Sequence, residues 1–324
     1  MYTINDCQQI INKSLANLNL PEQPTNLYDP MRYVIALGGK RVRPALVLMG
    51  CNLFIDNVGV AVNPAIAVEL FHNFTLMHDD IMDHSALRRN KPTVHTKWNE
   101  NIGILSGDAM LIKAYAFLAL CPPEKLVQML AVFNKMAVEV CEGQQYDMDF
   151  ESKADVSLEE YIHMIELKTA VLLSASLKIG AISAGASEND AGLLSDFGKN
   201  IGIAFQLQDD LLDVYGKLEH FGKQPGNDIV SNKKTFLLLN ALKLASGERL
   251  NTLRHWIALK DFNRDEKINA IISIFNDLNI KDITQHEINS FYDLGLKSLE
   301  KVACPEERKE SLVRFAEIMI NRQN

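Results

Sequence analysis

Cysteine is scarce and scattered. The five residues Cys7, Cys51, Cys121, Cys141 and Cys304 are an odd number with no CxxC spacing, which argues against a disulfide framework and a thiolate zinc site and fits reduced thiols in the cytoplasm. A basic balance is missing too: the formal charge is -8, where a nucleic-acid binder normally shows a net basic surface or stripe. The opening segment MYTINDCQQIINKSL has no basic run followed by an apolar stretch. Apolar stretches elsewhere are interrupted by charges such as Lys168 and Lys178, so the expectation is a soluble, cytoplasmic protein that is not exported or inserted in a membrane. Runs of alternating β-branched residues and short internal repeats are absent, which argues against a sheet protein and a solenoid. No proline falls between Pro123 and Pro225, so helices there can be long.

What is present is apolar material at helical spacing. Of 324 residues, 47% are hydrophobic and 23% charged, enough for a sizeable core and without the composition of disorder. One domain spanning 1–324 is expected. Ser157 with Glu160 reads as a capping box opening the helix that carries Tyr161, Ile165, Lys168 and Leu172. Ser187 to Asp190 starts another, running to about Gly216. Upstream, one helix stops at Gly38-Gly39, Pro44 suits the first turn of the next, and a third runs from about Pro64 through Asp83. Further breaks fall near Gly247, Asn279 and Pro305. This predicts an all-α bundle.

Two segments stand out against this background: Leu76-Met77-His78-Asp79-Asp80-Ile81-Met82-Asp83 and Gln206-Leu207-Gln208-Asp209-Asp210-Leu211-Leu212-Asp213. Both read DDxxD. On a helix the first, second and fifth positions fall within an arc of roughly 100°, so each motif gathers three carboxylates on one face. Such a face repels itself unless a cation is bound. Magnesium takes one or two carboxylates together with phosphate oxygens, so two such helices make a diphosphate holder. A single copy is equally well a solvated acidic face. Two copies, each in an apolar setting (Phe71, Phe74, Leu76 and Met77; Ile203, Phe205 and Leu207), are harder to explain that way, because burying unpaired acids is costly.

Cations accompany the acids. Arg88 and Arg89 follow the first motif, and guanidinium groups bind phosphate oxygens bidentately. The segment Gly38-Gly39-Lys40-Arg41-Val42-Arg43-Pro44 joins a glycine pair, cations and a helix start. Lys168 and Thr169 lie on an otherwise apolar helix, and Lys223 and Lys233 flank a loop after the second motif. Taken singly, each of these also reads as ordinary surface charge.

Together these segments, with Lys91-Pro92-Thr93-Val94-His95, Gly107-Asp108, Lys168-Thr169 and Gly222-Lys223 through Asn232-Lys233-Lys234-Thr235, resemble the trans-isoprenyl diphosphate synthases of the polyprenyl synthetase family, in the right order and over roughly residues 30 to 240. The resemblance implies a large bundle of mostly antiparallel helices around a central cavity, of the isoprenoid synthase type, and a homodimer. It implies a magnesium-dependent prenyltransferase that condenses isopentenyl diphosphate with dimethylallyl, geranyl or farnesyl diphosphate. Asp79, Asp83 and Asp209 are then the direct Mg2+ ligands, with Asp80, Asp210 and Asp213 ligating or orienting metal-bound water. Lys168, Thr169, Gln206 and Lys223 stabilise the leaving group and the developing cation. Lys40, Arg43, His72 and Arg89 hold isopentenyl diphosphate, and Arg88 and Lys233 serve substrate. His72 read alone is equally a core histidine.

Residues four and five before Asp79 are Thr75 and Phe74, about one helical turn, roughly 5 Å, further along. An aromatic floor at Phe74 backed by Phe71 predicts a C15 or C20 product; as ordinary core residues the two would predict nothing. Competing readings are a class I terpene cyclase, which shares the first motif but normally lacks the second and the basic segment, a non-catalytic subunit, from which lost aspartates are expected, and a purely structural helical protein.

Overall fold

Helix boundaries follow the capping and breaking residues of the chain in the computed structural model, which describes residues 1–216 and 226–321. The fold is all-α. Two compact units share the chain: Met1–Asn134 with Ala175–Ser195 and Val302–Leu312, and Lys135–Ser174 with Asp196–Lys301 and Val313–Asn324.

The first unit begins with α1 (Ile4–Ala16), which Thr3 and Asp6 open as a reciprocal capping box,. Helix α2 (Thr25–Ala36) stops before Gly38, whose φ of 74° closes it as expected,. Helix α3 (Val42–Asn52) holds Pro44 in its first turn. Helix α4 (Val62–Met82) is the hub, packing on α3, on α1 and most extensively on α6 (Glu100–Leu118). The stretch Val58–Met82 is long and apolar enough to cross a membrane by length and composition, which the expectation of short, charge-broken apolar stretches missed. Most of its apolar window is buried inside the protein, and its charge Glu69 is buried in an ion pair with Arg41. Between α4 and α6 lies a feature that strand patterning did not predict, a hairpin of β1 (Leu87–Arg88) and β2 (Lys91–Pro92), followed by α5 (Val94–Lys97). Helix α7 (Pro123–Ser152) starts in this unit.

In the second unit the Ser157–Glu160 capping box opens α8 (Leu158–Ile165) as expected. The predicted helix does not continue as one regular helix. A π turn, Glu166–Ala170, intervenes before α9 (Val171–Ala184), which from Ala175 onward belongs to the first unit, and the turn carries Lys168 and Thr169; such bulges are frequent at functional sites. Helix α10 (Glu188–Tyr215) bears the second DDxxD motif. There follow α11 (Asn227–Val230), α12 (Phe236–Leu244), α13 (Gly247–Ala258), α14 (Arg264–Asp277), α15 (Ile280–Glu300) and α16 (Glu306–Ile320). Breaks fall at Gly247, at Asn279 in left-handed conformation, and at Pro305, where the sequence places them. Tyr161, Met164, Leu207, Leu211, Phe236, Ile271 and Phe275 belong to the core of this unit.

Candidate active site

In the first unit, Asp79 and Asp80 lie in the last turn of α4, while Asp83 is its exposed C-cap. The three aspartates therefore span a helix end rather than a continuous helical face, although the Asp83 amide still donates to the Asp79 carbonyl at 2.9 Å. The hairpin turns on Arg89 and Asn90, with φ of 54° and 60°, the left-handed pair of a two-residue type I′ turn. It delivers Arg88 to the motif: Nε donates to both carboxylate oxygens of Asp80 at 2.9 Å, and Nη2 reaches Asp79 Oδ2 at 3.2 Å. Burial raises the Asp80 pKa and Arg88 pulls against it,.

Arg89 Nη1 donates to the Gly38 carbonyl. A side chain at Gly39 would strike the Arg89 guanidinium, so the second glycine of the pair is the close-approach position. Arg43 Nη1 donates to His72 Nε2 at 3.2 Å. A guanidinium only donates, so Nε2 is the acceptor and the imidazole proton is assigned to Nδ1. Burial holds the His72 pKa well below its ordinary value, and Arg43, Arg89, Arg88 and Arg41 add to the effect. A neutral imidazole thus lies among guanidinium groups, with the Lys40 side chain exposed nearby in sequence. This setting favours a polyanion. Arg41 differs from its neighbours: it is buried, ion-paired with Glu69, and donates from Nη2 to the Ile35 carbonyl at 2.5 Å. It anchors the basic segment and is not available to a ligand.

Phe74 packs against His78 (4.7 Å between ring centroids) and Phe71 (5.7 Å). Phe71 meets Phe133 at 5.4 Å, Phe133 meets Tyr115 at 5.1 Å, and the Tyr115 hydroxyl donates to Asn134 Oδ1 at 2.8 Å. The sequence pointed to Phe74 and Phe71. Phe133 and Tyr115 come from α7 and α6 and carry no local signal.

In the second unit, Lys168 Nζ donates to Asp147 Oδ2 at 2.6 Å. Thr169 Oγ1 donates to Gln206 Oε1 at 3.1 Å, Gln206 Nε2 donates to Asp210 Oδ1 at 3.0 Å, and the buried Tyr161 hydroxyl donates to Asp210 Oδ2. Thr169 and Gln206 therefore act on the second motif through one chain of hydrogen bonds. Asp213 Oδ2 accepts from the Asp228 amide at 2.9 Å. Burial pushes Asp210 up to about 6 and Asp228 up to about 7, and the exposed Lys233 opposes both. Asp213, Asp210 and Asp147 each raise Asp228 further. Lys223 lies outside the described residues.

Comparison with known proteins assigns these clusters to a lineage. The polyprenyl synthetase family model matches residues 24–275. The chain belongs to the polyprenyl synthetase family. Among polyprenyl synthetases it is 38% identical over 304 residues to the geranylgeranyl diphosphate synthase of Methanosarcina mazei, an alignment covering 93% of this chain and 91% of that one. A crystal structure of a geranylgeranyl pyrophosphate synthase superposes with a TM-score of 0.95 at 42% identity over the whole of both chains. That of the Pyrococcus horikoshii Ot3 geranylgeranyl pyrophosphate synthetase gives 0.91 at 34%, covering 98% of this chain and 97% of that one.

In each unit the motif's chemistry suits magnesium, although among the described residues no three His, Cys, Asp or Glu side chains stand together closely enough to hold a metal ion by themselves. Both motifs offer only hard carboxylate oxygens, which suit magnesium when phosphate oxygens and water complete its shell. Asp210 and Asp228, raised by burial and by neighbouring acids, are groups a divalent cation would neutralise,. Asp147, Asp228 and Tyr161 escaped the sequence reading. Asp147 is one of six acids on a long helix with no motif spacing to single it out, Tyr161 an apparent core residue, and Asp228 lies within the familial segment between Gly222 and Thr235 but outside the motif.

Two outcomes follow for this unit. An alanine methyl at Gly143 would land on the backbone of Leu167 and Lys168. Gly143→Ala is therefore expected to cost about 1–3 kcal/mol, as overpacking does, read as a lowered Tm. For Asp228, burial holds the folded pKa at about 7, above the ordinary aspartate value of 3.8. The folded state binds more protons between these values, so stability falls as pH rises through that window. Metal-free Asp228→Asn should melt a few degrees above the wild type at pH 8. The gap should close toward pH 4, and a gap that does not change with pH contradicts this assignment.

Proposed function

We propose that the protein is a magnesium-dependent prenyltransferase that joins isopentenyl diphosphate head-to-tail to dimethylallyl, geranyl and farnesyl diphosphates, releasing diphosphate and ending at the C20 all-trans product. What carries the reading is that both aspartate-rich motifs are complete and each is tied to cations, Arg88 on Asp79 and Asp80, and Lys168 and Lys233 around Asp147, Asp210 and Asp228. The relatives' names support the C20 endpoint.

In this reading Asp79, Asp83 and Asp209 hold magnesium, and Asp80, Asp210 and Asp213 ligate it or orient its waters. Magnesium, when bound, supplies Lewis acidity toward the departing diphosphate. Arg88, Lys168 and Lys233 take up negative charge on that group as the allylic C–O bond breaks and its electron pair leaves with the diphosphate. Thr169 and Gln206 hold Asp210 in place. Lys40, Arg43, His72 and Arg89 bind isopentenyl diphosphate without metal. Its double bond forms the new C–C bond to the allylic cation, and the proton then lost passes to the released diphosphate, so no side-chain base is assigned. Phe74 stops the growing tail.

A homodimer is supported by the exposed apolar side chains of α6, Ile104, Leu105 and Ile112, the last 68% exposed, a feature that marks interaction surfaces. A cytoplasmic location follows from the same reading. A terpene cyclase has no use for the second complete motif and the basic segment. The direct test is diphosphate release by purified protein. Release is expected only when isopentenyl diphosphate, an allylic diphosphate and magnesium are all present. Release from the allylic diphosphate alone would favour the cyclase, and none under any condition the non-catalytic subunit.

A further inference from the structure

Lys267 of α14 is 0% exposed, and among the described residues no carboxylate pairs with it. Its Nζ donates to Asn232 Oδ1 at 2.7 Å and to the Val230 carbonyl at 3.2 Å, and lies 4.1 Å from the centroid of the Phe262 ring. Burying an ammonium without a counter-charge is costly, and a methionine would fill the same space without that cost. The ammonium therefore calls for an explanation beyond packing.

Its partners supply one. Asn232 sits in left-handed conformation at φ 56° and is gripped from its other end, where Nδ2 donates to the Ile257 carbonyl at 3.1 Å. The next residue is Lys233, whose amide donates to the Asp228 carbonyl at 2.9 Å and whose charge acts on Asp147, Asp210 and Asp228. At the other end of α11, Arg264 Nη2 donates to Asn227 Oδ1 at 2.9 Å. Two residues of α14 one turn apart thus hold both ends of the short element that presents Asp228 and Lys233.

We infer that Lys267 is a positioning residue for the proposed reaction: it clamps Asn232 and Val230 so that the Lys233 ammonium stays among the carboxylates of the second aspartate-rich site. This rests on the function proposed above. The removal of such outer partners in metal sites typically costs about 10–100-fold, and a loss of that size is expected here.

Two variants test it, Lys267→Met, which keeps the stem and removes the charge, and Asn232→Gly, which keeps the left-handed backbone and removes the amide. Each should lower kcat/KM for the allylic diphosphate about 10–100-fold, raise the magnesium concentration needed for half-maximal rate, and leave KM for isopentenyl diphosphate within about twofold of wild type. Hydrogen exchange on the metal-free protein should show the Lys233 amide exchanging at least about tenfold faster while α14 keeps its protection. Unchanged allylic kinetics and unchanged exchange in both variants overturn the inference, as does an equal loss toward both substrates accompanied by a collapsed Tm. If the wild type makes no product the proposed function falls, while the exchange arm still decides whether the clamp exists.

Discussion

Asp79→Ala is expected to lower the magnesium-saturated condensation rate by about a thousandfold while the protein stays folded. Metal-ion stabilisation of developing charge amounts to several kcal/mol, and about 4 kcal/mol is a factor of roughly a thousand in rate. The fold should tolerate the change, because Asp79 is partly exposed and its contact with Arg88 is the longer of two: Arg88 keeps its two-oxygen grip on the buried Asp80. Steady-state rates across a magnesium titration, together with a thermal melt, check both halves. A variant within tenfold of wild type would remove Asp79 from the metal site. The parallel change at Asp80 would be less clean, since it would strip the half-buried Arg88 of its principal partner.

Phe74→Ala is expected to lengthen the product, with C25 replacing C20 as the main species. Removing this ring opens about one helical turn of depth, roughly 5 Å. Phe71 and Phe133, both buried, then stand behind it, and Tyr115 is fixed behind Phe133 by its bond to Asn134. The tail should gain one or two units and then stop, rather than run to a long polyprenyl chain. Mass determination of the dephosphorylated products checks this. An unchanged length would show that Phe74 is core and not floor, and an unlimited ladder would show that Phe71 and Phe133 are no barrier.

The parts of this molecule that were legible in the sequence are those set by local chemistry. The Ser157–Glu160 capping box, the stop at Gly38 and the breaks at Asn279 and Pro305 each depend on a few adjacent residues, and each lies where it was expected. The hairpin of Leu87 to Pro92 was not legible, because its strands are two residues long and its turn is Arg89-Asn90 rather than a glycine-containing pair,. Nor was the π turn, since Tyr161, Ile165, Lys168 and Leu172 keep the spacings of three and four that an uninterrupted helix also shows,.

The site divides in the same way. Motif spacing found the six aspartates of the two DDxxD segments, whereas Asp147 and Asp228 join the second cluster only through contacts that cross long stretches of chain. The basic segment shows the limit most sharply. Lys40, Arg41 and Arg43 are alike as residues, yet Arg41 is buried on Glu69 while Lys40 is exposed and Arg43 meets His72. Only the packing of α4 separates the anchor from its neighbours.

The measurement closest to the central claim is the mass of the prenyl alcohol recovered, after dephosphorylation, from purified protein given geranyl diphosphate and isotope-labelled isopentenyl diphosphate with and without magnesium. The account predicts a linear C20 alcohol carrying two labelled units, formed only with magnesium. A cyclised hydrocarbon, or no labelled product with any allylic primer, would contradict it.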